Sequence, residues 1–279
     1  MRIALTGASG FVGYPLATGL VARGHVVTTL SRQPVANLPH LPWALGEAPD
    51  LSGFDALVHF ALSHLPGKYR GGEGQEPAAF RTANLDGSLR LFEAADRAGA
   101  RVVFASTRAV YGDYPAGTAL SESMPLRPDT LYGKLKAEAE AALGDHDISL
   151  RMTGIYGPPI PQRGHKWQAL FADFRRGAPI APRVATEVHA DDVTAAVDLL
   201  LPQSAAGGAY NVSDLLLDRR DLLSEYAALT GITTPLPPRA DAQAVSSMDT
   251  ARLAALGWHP QGRDALRSTL SQIVAAEAV

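Results

Sequence analysis

Tyr132-Gly133-Lys134-Leu135-Lys136 places a phenol and an ammonium four residues apart at the start of a helical pattern. Positions i and i+4 share one helix face. A phenol with a pKa of about 10 is a poor base at neutral pH. A cation held beside it favours the phenolate. Such a pair can pass a proton to or from a substrate hydroxyl while a hydride moves to or from a nicotinamide. An isolated Tyr-x-x-x-Lys more often belongs to an ordinary amphipathic helix, so the neighbours decide. The apolar run Val102-Val103-Phe104-Ala105 ends in Ser106-Thr107, and a hydroxyl there can bond the oxygen that the tyrosine attends.

A second constellation opens the chain. The short strand Arg2–Thr6 runs into Gly7-Ala8-Ser9-Gly10-Phe11-Val12-Gly13, and a helical pattern follows at once. One glycine permits the tight turn, one lets the backbone approach a pyrophosphate, and one lets the helix pack on the strand. The helix N-terminus then offers free N–H groups and a positive dipole end to the anion. Gly7, Ser9, Gly10, Phe11, Val12 and Gly13 are the expected dinucleotide contacts. NAD-binding versions of this unit carry an acid about 20 positions further on, for the ribose 2′-hydroxyl. Here the second strand ends in Thr29-Leu30-Ser31-Arg32 and the acid is missing. A small residue and a guanidinium suit a 2′-phosphate. Ser31 and Arg32 therefore favour NADP(H) and leave NAD(H) open.

The elements that must position these groups alternate. Strand-like runs at Arg2–Thr6, Val26–Leu30, Ala56–Ala61, Arg101–Ser106 and Ile148–Met152 are separated by helical patterns. The helices are expected at Phe11–Arg23, Pro77–Ala98 and Leu131–Leu143, each followed by glycine. This alternation predicts an α/β fold, a doubly wound parallel (Rossmann) sheet that binds ligands beyond its strand ends. From Gly157 the texture changes to a loop-rich stretch with helices at Trp167–Arg176, Leu222–Leu229 and Leu266–Val274. Val188–Asp192 and the helix Val193–Leu201 read as a return to the sheet region. The division expected is a Rossmann domain over 1–156, with a return segment near 185–212. A smaller, discontinuous substrate lobe is expected over 157–184 and 213–279.

Composition bounds the class of partner. The 279 residues, 46% hydrophobic and 19% charged, suit a soluble globular chain with a sizeable core. A net charge of −3 gives no reason to expect nucleic acid or a membrane surface. Arg163, His165 and Lys166 form a local basic cluster that suits a solvated loop or a substrate anion. The absence of cysteine excludes disulfides, thiolate metal sites and cysteine nucleophiles. His40, His64 and His165 fall in loops with no metal-ligand spacing, so no metal is expected. With no signal segment before the first strand, a cytoplasmic protein is the expectation.

Taken in order, these elements resemble the extended short-chain dehydrogenase/reductase family, the NAD(P)-dependent epimerase/dehydratase group. The resemblance covers nearly the whole chain. It includes Gly7–Gly13, Asp55–Ala61, Asn84–Gly87, Ser106–Gly112, Tyr132–Lys136, Arg151–Pro158, Val188–Val193, Tyr210–Val212 and Leu256–Pro260. It implies Thr107 as the catalytic hydroxyl, Tyr132 as the acid/base, and Lys136 as the group that binds the nicotinamide ribose and tunes Tyr132. It also implies cofactor contacts from Glu47, Ala48, Phe60, Ala61, Leu62, Ala105 and Ile155. Asn84 is read either as functional or as a helix-start residue, and His189 and Asp191 as turn and cap residues. Pairing as a homodimer through the helices matching Asn84–Ala98 and Leu131–Leu143 is a further implication.

On the substrate side the chain departs from the family. Nucleotide-sugar members often carry Asn three positions after the arginine matching Arg151, where this chain has Gly154. The usual phosphate-binding frame is shortened to Ala181–Glu187, with Arg183 as the remaining anion contact. Lys68, Tyr69 and Arg70 lie in a basic insertion near the mouth of the site, and Arg108 follows Thr107. The expectation is an NAD(P)-dependent oxidoreductase interconverting a secondary alcohol and a ketone on a sugar-like or polyol substrate. The alternative is a nucleotide-sugar 4-epimerase or dehydratase with retained NAD. Less well supported is a redox sensor, which has no need of Thr107, Tyr132 and Lys136 together.

Overall fold

Apolar runs rich in Val, Ile and Leu become buried strands, and the segments between them become covering helices, in a computed structural model that describes residues 1–35, 37–65, 72–160 and 163–277. The first half runs β1 (Arg2–Thr6), α1 (Gly13–Ala22), β2 (Val26–Ser31), β3 (His40–Pro42) and β4 (Ala56–His59). It continues with α2 (Pro77–Arg81), a π-helical turn (Thr82–Asp86), α3 (Gly87–Ala98), β5 (Arg101–Thr107), β6 (Ala119–Leu120) and α4 (Leu131–Glu140). Then come β7 (Ile148–Met152), β8 (Gly154–Tyr156), α5 (Gln168–Arg175), β9 (Val184–His189), α6 (Ala190–Leu200) and β10 (Gly208–Val212). The chain closes with β11 (Leu215–Asp218), α7 (Arg219–Thr230), β12 (Ser247–Met248), α8 (Ala251–Ala254) and α9 (Gly262–Glu277).

Seven strands form one sheet in the order β10-β7-β5-β4-β1-β2-β3, with every neighbouring pair parallel. The strand order reverses between β1 and β4, the point where such sheets open a ligand crevice. Both faces are covered. Leu16, Leu20, Val193 and Val197 pack on one face; Leu91, Phe92, Leu135 and Ala139 pack on the other. The doubly wound Rossmann-like fold expected from the alternation is thus the fold observed.

Beyond this sheet, β11, β9 and β8 form a smaller one, in which β9 runs antiparallel to β11 and parallel to β8. A separate aromatic core of Tyr156, Trp167, Phe171, Phe174 and Tyr226 holds α5, α7 and α9 around it. β9 therefore pairs in the small sheet. The return to the large one is made by α6, which packs on α1, and by β10 at the edge.

Three local expectations are corrected. The helix expected over Pro77–Ala98 is interrupted by the π turn. The Asn84 side-chain amide donates to the carbonyl of Phe80 at 2.9 Å, so it takes the acceptor that an α-helical N–H of residue 84 would use. Asn84 is therefore a mid-helix residue rather than a helix start. α4 ends at Glu140 rather than Leu143, because residues 142 and 143 close three-residue bonds to Ala139 and Glu140. His40 lies in the edge strand β3 and bonds the Ser31 carbonyl, so it is no loop residue.

Gly13 shows how tightly α1 sits on the turn before it. A Cβ there would lie 2.1 Å from the Gly7 carbonyl oxygen. Gly13→Ala is expected to cost about 1–3 kcal/mol or more through overpacking, lowering the thermal midpoint by several degrees. An unchanged midpoint would show that the turn relaxes freely.

Candidate active site

α4 is started by Thr130, whose side chain accepts from the Gly133 N–H. The helix lies against β5 and buries one face, and Lys136 is buried on it at 7% exposure. Its ammonium donates to the Ala105 carbonyl at 2.6 Å and sits 4.3 Å from the centre of the Phe104 ring. Burial pulls the Lys136 pKa down to about 7, while the charge of Glu140 works the other way. Tyr132, one turn earlier on the same face, is half-buried. Tyr132 and Lys136 line a small cavity of about 10 Å³ with Ala61, Leu62, Phe80 and Asn84. At the end of β5, Thr107 accepts from the Ala109 N–H at 3.2 Å, which leaves its own proton available to a ligand.

A buried polar network lies behind these groups. Glu140, two turns after Tyr132, accepts from Ser106 on β5 and pairs with Arg151 on β7 at 2.8 Å. Both side chains of the pair are 7% exposed. Arg151 also donates to the Tyr111 hydroxyl at 3.1 Å, and that hydroxyl donates to Asn211 on β10 at 2.7 Å. Burial pushes the Tyr111 phenol up, so it stays neutral. Ser106 is committed to Glu140, whereas Thr107 is half-exposed at the strand end. Glu140 was not singled out in the sequence. The signal was present, since 132, 136 and 140 fall on one helix stripe.

The floor beneath the glycine turn is a second network. Ser88 donates to the Asn84 carbonyl, so the neutral His59 ring donates to Ser88 through Nε2 (2.9 Å) and accepts from Thr6 through Nδ1 (2.7 Å). Burial and the nearby Lys136 charge pull the His59 pKa down to about 3. Thr6 Oγ1 in turn accepts from the N–H groups of Phe60 and Ala61, both at 3.2 Å. Asn84 clamps the backbone of Ser63, accepting at 2.7 Å and donating at 2.8 Å. The segment Phe60–Leu62 is thereby fixed beside the glycine turn.

The turn has the form that a dinucleotide requires. Gly7 has φ +77°, and a Cβ there would lie 2.6 Å from the Phe60 carbonyl carbon. α1 starts with no side-chain cap and no carboxylate in its first turn, so its N-terminal dipole lacks a protein anion. Ser9, Gly10, Phe11 and Val12 form the stretch between Gly7 and α1. β2 pairs Leu30 with Thr6, which brings Ser31 and Arg32 to the same end of the sheet. The Ser31 hydroxyl donates to the Gln33 carbonyl at 2.7 Å, and Arg32 is exposed. Glu47 and Ala48 are exposed in the loop after β3, where Glu47 accepts from the Ala44 N–H. Ile155 lies in β8 opposite Val188.

On the other side of the strand ends, Arg108 donates to the Ser246 carbonyl at 2.8 Å. Gly154 follows β7, whose Met152 is the register partner of Thr107. Arg183 is exposed just before β9. Of the basic cluster, only Arg163 is exposed. Lys166 is ion-paired with Glu187, and His165 is buried with Glu277 at 3.4 Å. His189 caps α6 by accepting from the Asp191 N–H. Lys68, Tyr69 and Arg70 lie outside the described residues. Among the described residues no group of His, Asp and Glu could hold a metal, and no helix is long and apolar enough to cross a membrane.

Residues 3–213 match the family model for the NAD dependent epimerase/dehydratase family. The chain belongs to that family and is an enzyme of it. The 3-diazoavenalumate denitrifying reductase of a Streptomyces species is 30% identical to it, over 95% of this chain and 99% of that protein. The UDP-glucose 4-epimerase of Mycolicibacterium smegmatis is 28% identical, over 94% of each chain. The structure of the Thermus thermophilus UDP-glucose 4-epimerase in complex with NAD superposes with a TM-score of 0.78 at 28% identity, covering 99% of this chain and all of that one.

The buried lysine gives a signed prediction. Below about pH 7 both the folded and the unfolded chain hold its proton, and the full cost of burying an ammonium is present. Between about 7 and 10.5 only the unfolded chain holds it, so this group's contribution to stability rises with pH. Lys136→Met should therefore raise the urea midpoint clearly at pH 6 and less at pH 10. A gain that does not shrink with pH, or a loss, would show that burial of the charge is not the cause.

Proposed function

We propose that this chain is an NAD(P)-dependent oxidoreductase of the extended short-chain class that interconverts a secondary alcohol and a ketone on a sugar-like or polyol substrate. The observation that carries this is the ammonium of Lys136, buried under the end of β5 on the same helix face as Tyr132 and bonded to Ala105, two residues before Thr107 on the same strand. A bound nicotinamide dinucleotide supplies the hydride acceptor or donor. Tyr132 takes the hydroxyl proton as the alcohol is oxidised and returns it to the oxygen in the reverse direction. Thr107 donates to the same oxygen and holds it in place. Lys136 binds the nicotinamide ribose and favours the phenolate of Tyr132.

The cofactor lies along Gly7, Ser9, Gly10, Phe11, Val12 and Gly13. Phe60, Ala61, Leu62, Ala105 and Ile155 line the nicotinamide side, and Glu47 and Ala48 the adenine side. NADP(H) is the favoured form, because Arg32 stands exposed at the end of β2 where NAD-binding units place an acid. The small sheet with α5, α7 and α9 serves as the substrate lobe, with Arg108, Gly154 and Arg183 on its approach. Lys68, Tyr69 and Arg70 belong to the same approach by sequence. The active form is a cytoplasmic homodimer paired through α3 and α4.

A second reading, a nucleotide-sugar 4-epimerase or dehydratase with retained NAD, is favoured by the UDP-glucose 4-epimerases and the dTDP-glucose 4,6-dehydratase among the relatives. The two differ in cofactor balance. A dehydrogenase changes the nicotinamide absorbance in proportion to product, whereas an epimerase turns over with no net change and purifies with its cofactor bound.

Tyr132→Phe should lower kcat by about 10²–10⁴ with cofactor binding retained. Turnover that survives intact would remove Tyr132 from the mechanism. Arg32→Glu should weaken NADP(H) far more than NAD(H), because repulsion replaces attraction at the 2′-phosphate. Titration of both cofactors by fluorescence checks this, and equal losses would refute the assigned preference.

A further inference from the structure

A cavity of about 380 Å³ lies among α5, the loop before β9, β9, β11 and the start of α7. β9 turns Ala185 and Glu187 into it, and Leu217 on β11 is the cross-strand neighbour of Ala185. Trp167, Leu170, Leu217 and Leu222 give it an apolar wall. Its charges are Lys166, Arg183, Glu187 and Arg219 together with Asp173 at the α5 rim, and they are not evenly placed.

At one end Glu187, buried on β9, is ion-paired with Lys166, so the two charges cancel. Asp173 is likewise paired, with Arg176 just past the end of its helix. At the other end Arg183 and Arg219 are held together. The Arg219 N–H donates to the Arg183 carbonyl at 2.9 Å, and the Arg219 guanidinium donates to the Ala181 carbonyl at 3.0 Å. Among the described residues neither arginine has a carboxylate within ion-pairing distance. Burial and the neighbouring Arg183 charge both pull the Arg219 pKa down. Two adjoining like charges without a counter-ion are what a single bound oxyanion relieves.

The neutral end lies beside Gly154. A Cβ on Gly154 would lie 2.6 Å from Glu187 Oε2 and 2.7 Å from Lys166 Nζ, so the pair fills the space that a side chain at 154 would take. Gly154 is two residues past Met152, the partner of Thr107. A substrate that reaches from Thr107 to the two arginines must pass this pair and then the apolar wall. Negative charge spread along that path, as in a diphosphate, meets a pair whose cation is already taken by Glu187; a single terminal oxyanion needs no partner there.

We propose that this cavity selects a substrate with one terminal oxyanion, a carboxylate or a phosphate monoester, on an apolar body, and that it disfavours a nucleoside diphosphate. Arg183 and Arg219 hold the oxyanion, and the Lys166–Glu187 pair sets the limit on charge. The proposal rests on the alcohol–ketone reading only for where the reacting carbon lies.

Calorimetry on the full chain saturated with NADP⁺, using phenyl phosphate, benzoate and UDP as probes, tests it without turnover. Phenyl phosphate or benzoate should bind at least roughly tenfold more tightly than UDP, the loss expected when charge-assisted contacts are unmatched. The tighter of the two identifies which oxyanion the site takes. Arg183→Leu and Arg219→Leu should each weaken that probe by roughly tenfold with NADP⁺ affinity unchanged, and Glu187→Gln should narrow the gap to UDP. The proposal is overturned if UDP binds as tightly as the better probe, if neither small probe binds, or if both arginine variants bind like the parent. Loss of turnover in Tyr132→Phe is read separately, so failure of the cavity and failure of the redox reading remain distinguishable.

Discussion

A lysine ammonium held under the strand ends of a parallel sheet is an expensive object, and much of this molecule is arranged around that cost. Lys136 has one carbonyl to donate to and an aromatic face beside it. Burial outweighs the opposing charge of Glu140 and lowers the Lys136 pKa to about 7. A group poised in that way is of little use to stability; strongly shifted groups of this kind cluster at functional sites. The opposing influence is Glu140, one turn further along α4. Glu140 itself is buried, so it needs its own compensation from Arg151 and Ser106. Removing one partner of such a pair costs about 3–5 kcal/mol. The consequence is a chain of obligations from α4 through β5 and β7 to Asn211 on β10.

The same chain of bonds fixes geometry. α4 carries Tyr132, Lys136 and Glu140 on one stripe, and Glu140 ties that stripe to two strands of the sheet. Rotation of the helix about its axis would break the Glu140 contacts before it moved the tyrosine far. A second network holds the opposite wall. Thr6, His59, Ser88 and Asn84 connect β1 and β4 to the π turn, and the π turn grips Ser63. The crevice beyond the strand ends therefore lies between two polar networks whose buried groups are hydrogen-bonded to one another, an arrangement that favours a single rigid form.

The small sheet and the helices around it follow a different logic. Their core is a stack of aromatic rings, with Phe171 and Tyr226 parallel at 3.9 Å and Tyr156 on Trp167 at 5.1 Å. Their cavity gathers at one end two guanidinium groups that have no carboxylate partner among the described residues, and a neutralised pair at the other. The crevice between the two polar networks holds Tyr132 and Lys136, whereas the pair Lys166–Glu187 fills the space beside Gly154.

Sequence alone determined the parts governed by short-range rules. A strand, a glycine turn and a helix are local, so Gly7–Gly13 was legible, as were the strands at Arg2–Thr6 and Ile148–Met152. The i, i+4 relation of Tyr132 and Lys136 is also local. Only the tertiary structure decided the rest. Asn84 sits in a π turn because its amide takes a carbonyl that sequence periodicity assigns to the backbone. Ser106 and Thr107 are neighbours with equal chemistry on paper; they part because Glu140, far along the chain, claims one of them. Lys166 reads as a solvated cation until β9 brings Glu187 against it. In each case the deciding contact depends on packing that brings particular groups out of water, and its strength comes from burial, which no local pattern encodes.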